Sequence, residues 1–197
     1  MIILDGLDEI DWANIQHSHG TSEKFPFHLR ELAKNDPTTW EQSRDYIREY
    51  SDHQNTIYDV TPYVAPFVLM LLKALPVNRT YDLLDILAGY AWSIDNQHNQ
   101  EWVDRMEHGV KQGWFTQEYF DSSMKPIDDT RAFLEANLDF FLTYLEHEQP
   151  DIRAAAVQLL YAFRHIPQIS EALEKRDRLE THEYVRKALQ YGLNTHF

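Results

Sequence analysis

Apolar residues recur along this chain at i, i+3 and i+4, and the recurrence comes in blocks. Residues 26–47 read PFHLRELAKNDPTTWEQSRDYI and residues 66–87 read PFVLMLLKALPVNRTYDLLDIL, so P-F-x-L-x-x-L opens both windows forty positions apart. Superposing them pairs Pro26 with Pro66, Phe27 with Phe67, Leu29 with Leu69 and Leu32 with Leu72, then Asp45 with Asp85 and Ile47 with Leu87. Helical spacing runs on both sides of a central break in each window, which predicts two helices joined by a short turn. A third window, FFLTYLEHEQPDIRAAAVQLL, fits at an offset of 113 from the first, with Phe140, Leu142 and Leu145 in the apolar places and Pro150 opposite Pro37. Both prolines stand where the first turn of a helix tolerates a missing N–H. A fainter fourth copy begins at PQISEALEKRD and continues in Tyr184-Val185-Arg186-Lys187-Ala188.

Helix pairs of this length cannot bury their apolar faces alone, so neighbouring copies are expected to stack into a curved array. The expected fold is therefore all-α: a solenoid of about five helix pairs, forming one domain over residues 1–197 with an N-terminal arm over residues 1–24. The pattern lapses over residues 100–125, which predict an irregular helical segment about one repeat long. Asp151-Ile152-Arg153-Ala154-Ala155-Ala156 and Tyr184-Val185-Arg186 resemble the second helix of HEAT repeats. That resemblance implies that the Asp and Arg of this motif, Asp151 and Arg153, bridge between adjacent repeats.

Two further segments resemble a more particular group. Trp12-Ala13-Asn14-Ile15-Gln16-His17-Ser18-His19-Gly20 precedes the first pair, and His53-Gln54-Asn55-Thr56-Ile57-Tyr58-Asp59-Val60-Thr61 leads through Pro62 to Pro66-Phe67. Over roughly residues 8–90 the chain resembles a bacterial family of HEAT-repeat-like proteins without an assigned activity, some of them suspected toxin-immunity proteins. Asn55 departs from the pattern, which calls for Gly there and so puts a tight turn in question. Read as structure, Thr56 or Thr61 can cap a helix, Pro62 suits its first turn, and Tyr58 can bury its ring. His53 and Gln54 can satisfy backbone groups between the pairs.

Charge narrows the choice of partner. The chain carries 32 acidic and 18 basic residues, a formal −14, which disfavours nucleic acid and anionic lipid and favours basic proteins. Residues 1–23 and 80–104 hold five acids each and no Lys or Arg. There is no Cys, which removes disulfides and thiolate metal sites. The start lacks the basic segment of a signal peptide, and the longest apolar run, residues 63–75, is too short to span a bilayer. A cytoplasmic location is the expectation.

Catalytic patterns are missing. No H-E-x-x-H, G-x-S-x-G or glycine-rich phosphate loop occurs, and no cofactor or metal is expected. Among the histidines, His17 and His19 are two apart, so an extended backbone would turn both to one side, with His28 or His53 as a third ligand if the fold brought it near. His17, His19, His53 and Tyr58 are thus the candidate cluster for the alternative reading, an enzyme or a small-ligand or metal-binding protein.

The leading expectation rests on two stripes. On the second helix of the second pair, Asp82, Asp85, Gly89, Trp92 and Asn96 advance by three or four residues and line up beside the apolar face. On the first pair the matching stripe is Gln42, Asp45, Glu49 and Asp52. Stacking would set them side by side as an acidic concave wall with Trp92 as an apolar anchor. The expected function is a non-enzymatic protein-binding module, in its specific form an immunity protein that neutralises a basic toxin domain.

Overall fold

The computed structural model describes residues 2–97 and 100–191, and these are all-helical apart from one two-stranded hairpin. After an arm with two single 3-10 turns, β1 (Gln16–His17) pairs antiparallel with β2 (Gly20–Thr21). Ten helices follow among the described residues: α1 (Phe25–Lys34), α2 (Pro37–Ser51), α3 (Thr61–Ala74), α4 (Thr80–Gln97), α5 (Gln100–Lys111), α6 (Gln117–Glu135), α7 (Leu138–Leu142), α8 (Pro150–Tyr161), α9 (Pro167–Leu179) and α10 (Glu183–Tyr191).

The punctuation predicted at the first turn is present. Asn35 ends α1 in the left-handed region, at φ 55°, where Asn is better tolerated than most residues. Asp36 then caps α2, accepting from the Thr38 N–H at 2.9 Å, and Pro37 occupies the first helical position. Pro150 and Pro167 start α8 and α9 in the same way.

The second window differs from the first. α3 begins at Thr61, so Pro66 lies inside the helix rather than at its start. Its missing N–H would have bonded the Pro62 carbonyl, so α3 forgoes one intrahelical hydrogen bond just beyond the free N–H groups of its first turn. The leucine pattern survives this offset, with Leu29, Leu32, Leu69 and Leu72 all buried, but Phe67 is buried while Phe27 is exposed.

Packing explains the lapse in the repeat. α1 packs on α2 and α3 on α4; α1 also meets α3, and α2 meets α4. α4 then lies directly against α8, which in turn meets α10. α5 and α6 do not separate them, because α6 folds back on α3 and α4. α2, α4, α8 and α10 thus contact one another in that order, over one apolar core whose bulkiest members include Trp40, Tyr90, Phe25, Phe141 and Phe163. The arm is fastened by Trp12, which donates to the Leu7 carbonyl at 2.9 Å and stacks on Phe25.

Arg153 makes a polar bridge from α8 to the segment beyond α9. Its guanidinium grips both oxygens of Glu180, beyond the end of α9, at 2.8 and 2.9 Å, and also donates to the His147 and Glu148 carbonyls.

Residues 52–60 connect the first two pairs. Gln54 and Asn55 both adopt positive φ, 54° and 57°, so the tight turn forms with Asn where Gly was expected. Thr61 ties the loop rather than capping a helix end: its Oγ1 accepts from the Tyr58 N–H at 3.0 Å and donates to the Ser51 carbonyl at 2.6 Å. The amide that satisfies a backbone group is Gln97, which accepts from the Ile57 N–H at 2.8 Å, and Gln54 is exposed.

Candidate functional site

The aligned stripes converge on a cleft of about 540 Å³ between α2 and α4. Asp45, Arg48 and Glu49 line it from α2, with Asp52 at that helix's C-cap, Gln54 and Asn55 from the turn, and Asp85, Ile86, Gly89 and Tyr90 from α4. Both acids at equivalent repeat positions, Asp45 and Asp85, therefore face one opening. Four carboxylates surround it with one guanidinium.

Arginines on α2 temper the charge. Arg48 lies 3.4 Å from Asp85, and Arg44 bridges Asp45 at 2.8 Å and Asp82 at 3.2 Å. Asp82 also accepts from the Trp40 indole at 2.6 Å, which fixes it as a tie between the two pairs, outside the cleft. These pairings were missed because only the acid spacing was followed; Arg44 and Arg48, four apart, lie on the same helix face and hold the signal.

Asp52 lies against α4 through two contacts. Its Oδ1 accepts from Ser93 at 2.5 Å, and its Oδ2 lies 2.9 Å from where a Cβ on Gly89 would sit. Gly89 thus leaves the space that lets the carboxyl lie against α4. Burial pushes the Asp52 carboxyl up to about 7, against the opposing pull of Ser93, Arg48 and the Thr56 N–H. Beneath it Tyr90 is fully buried, its hydroxyl 2.6 Å from Ser51 Oγ. Removing that hydroxyl in Tyr90→Phe leaves Ser51 its bond to the Ile47 carbonyl, so a loss of only about 1 kcal/mol in urea unfolding is expected.

The other predicted stripe members lie elsewhere. Gln42 is exposed, and Trp92 and Asn96 are half-buried, with Asn96 donating to the Trp92 carbonyl at 3.1 Å; none of the three lines the cleft. Tyr81, one turn before Asp85 and 38% exposed, does not line the cleft either but is an exposed aromatic of α4 near it, whereas Tyr90, which does line it, is buried. Burial, followed by the charge of Asp85, the Tyr184 hydroxyl and Asp151, pushes the Tyr81 hydroxyl up to about 12.

The candidate histidine cluster splits. His17 and His19 both pack on Tyr50, and His19 meets the His53 ring at 4.9 Å, beside a 310 Å³ depression that His17, His19, Tyr46 and Tyr50 help to line. His17 is held with a lowered pKa, chiefly by burial. Tyr58 lines another pocket with Gln97 and Trp102, and its hydroxyl donates to the His53 backbone carbonyl at 3.5 Å rather than meeting the imidazoles. His28 is buried, stacked on Tyr46 at 3.9 Å with its Nδ1 3.2 Å from Ser43 Oγ. A residue the expectation omitted, Glu49, joins instead, 2.8 Å from His53 Nδ1. His19, Glu49 and His53 are, among the described residues, the group with spacing that could hold a metal.

No family model, curated protein or solved structure matches this chain. No helix among the described residues is long and apolar enough to cross a membrane.

Proposed function

We propose that this chain is a protein-binding module that seats a cationic side chain of a basic partner in the cleft between α2 and α4. The observation that carries this reading is the convergence of Asp45, Glu49, Asp52 and Asp85, from two successive helix pairs, on one opening. Such a site attracts cations at a distance and orients them on arrival. Tyr81 supplies the aromatic contact beside Asp85 in place of Trp92, since partly exposed tyrosines anchor interfaces at low entropic cost. The succession α2, α4, α8, α10 supports reading the fold as a short HEAT-like solenoid with these helices on its binding face. The immunity form of the proposal rests on the family resemblance and has the protein acting in the cytoplasm, covering a basic toxin domain.

Protonation sets a signature. Asp52 must be ionised to face a cation, and its carboxyl titrates at about 7 in the free protein. Capture is therefore expected to strengthen as pH rises towards about 8, and to weaken by up to about tenfold per unit below 7 as binding has to expel the proton. Binding isotherms across that range check this.

The test of the function is affinity capture from the native cell with wild-type bait beside an Asp45→Asn, Glu49→Gln, Asp85→Asn triple variant. A basic protein should be retained by the wild type, and the purified pair should bind about 100-fold or more weaker once the three acids are neutralised. Equal retention by the two baits, or a partner without a basic surface, would refute the reading.

A further inference from the structure

Beside the cleft, three side chains with metal-ligating atoms meet across a wide sequence separation. His19 lies in the turn of the β1–β2 hairpin, Glu49 in the last turn of α2, and His53 just past that helix's end. Their ligating atoms all lie within 4.8 Å of one another. The carboxylate of Glu49 lies 2.8 Å from His53 Nδ1, and the two imidazoles meet edge to face with centroids 4.9 Å apart. His17 does not complete the group, because its Nδ1 accepts the His19 backbone N–H at 3.0 Å, which fixes the hairpin turn that presents His19.

We infer that His19, Glu49 and His53 form a binding site for a divalent transition-metal ion of the zinc class. A tetrahedral ion about 2.0–2.1 Å from each ligand holds them about 3.3 Å apart. His19 and Glu49 are both exposed on the surface, so the proposal assigns the closure of the triangle to that size to their side chains. Two imidazoles and one carboxylate suit zinc, cobalt or nickel, whereas magnesium and calcium require an oxygen shell. Three protein ligands leave a fourth position open to water. A bound ion would pin the hairpin to the end of α2, and through Glu49 it would add positive charge to the rim of the acidic cleft. The inference does not depend on the protein-binding reading, because its test needs no partner.

The test is calorimetric titration with zinc chloride of tag-free, chelator-stripped protein, beside His19→Ala, His53→Ala and Glu49→Gln variants whose helicity is verified by circular dichroism. About one equivalent should bind to the wild type, and each variant should weaken binding by roughly tenfold or more. Glu49→Gln preserves shape and packing, so loss of affinity there reports the ligand rather than the fold. Excess magnesium should leave the zinc isotherm unchanged. Substoichiometric binding by the wild type, wild-type affinity in His19→Ala and His53→Ala, or displacement by magnesium would each overturn the site.

Discussion

Glu180→Ala is expected to destabilise the protein by about 3–5 kcal/mol, because it strands a buried guanidinium. The Glu180 side chain is 1% exposed and that of Arg153 12%, so water cannot replace the lost partner. Arg153 makes two bonds to the carboxylate, and the Thr181 and His182 N–H groups donate to it at 3.0 and 2.9 Å. Burial by itself would raise the Glu180 carboxyl, but the Arg153 bond, the His182 N–H and the nearby guanidiniums together bring it down to about 2. A depressed carboxyl stabilises the fold above its unfolded pKa, near 4.5, and that contribution is lost as pH falls through about 2. Urea unfolding at neutral pH should show the full difference between wild type and variant, narrowing at acid pH. Unchanged midpoints would mean that the α8–α9 junction does not depend on this pair.

The second large effect has the opposite sign. Asp52→Asn is expected to stabilise the protein above about pH 7 by as much as about 3–4 kcal/mol, and to change little near pH 4. The Asp52 carboxyl is raised from 3.8 to about 7 in the fold. Below the lower value it is protonated in folded and unfolded chains alike. As pH climbs between the two, the unfolded chain ionises freely while the native one holds its proton, so wild-type stability falls and then levels off. Asn keeps an oxygen for Ser93 and never ionises, so it escapes that cost. Parallel pH–stability curves for the two proteins would show that Asp52 is not held in an unfavourable place.

A residue in such a place costs stability, which agrees with the proposed role of Asp52 in the cleft. Burial pushes the Asp52 carboxyl up to about 7, so under the proposed function an arriving cation would favour its ionised form. Gly89 leaves the room in which the carboxyl is buried, and that burial outweighs the opposing pull of the Ser93 bond.

How far the sequence exposes this arrangement depends on the range of each interaction. Helix starts at Pro37 and Pro150 and the facing of Asp45 and Asp85 were legible, since local periodicity and repeat equivalence determine them. The offset of α3 was not, because Pro66 can end a turn or sit inside a helix, and the packing of Leu69 and Leu72 decides which. Trp92 has the right helical phase for the stripe, yet phase alone does not say which side chain reaches the opening, and the exposed aromatic of α4 near it is Tyr81. The metal-ligand trio was half visible: His19 and His53 were candidates, but Glu49 was assigned only to the acidic stripe. Its double position emerges only once the hairpin folds onto the end of α2.

The cleft as a cation site can be tested without knowing the natural partner. Carbon-detected NMR of the side-chain carboxyls, titrated by pH with and without a hexa-arginine peptide, reports Asp52 directly. With the peptide present, the Asp52 midpoint should fall from about 7 by roughly one unit or more, and shift changes should concentrate on Asp45, Asp85 and the facing turns of α2 and α4. An Asp52 midpoint that stays put, with peptide-induced shifts scattered over the other acidic residues, would contradict the cleft as the place where this protein takes hold of positive charge.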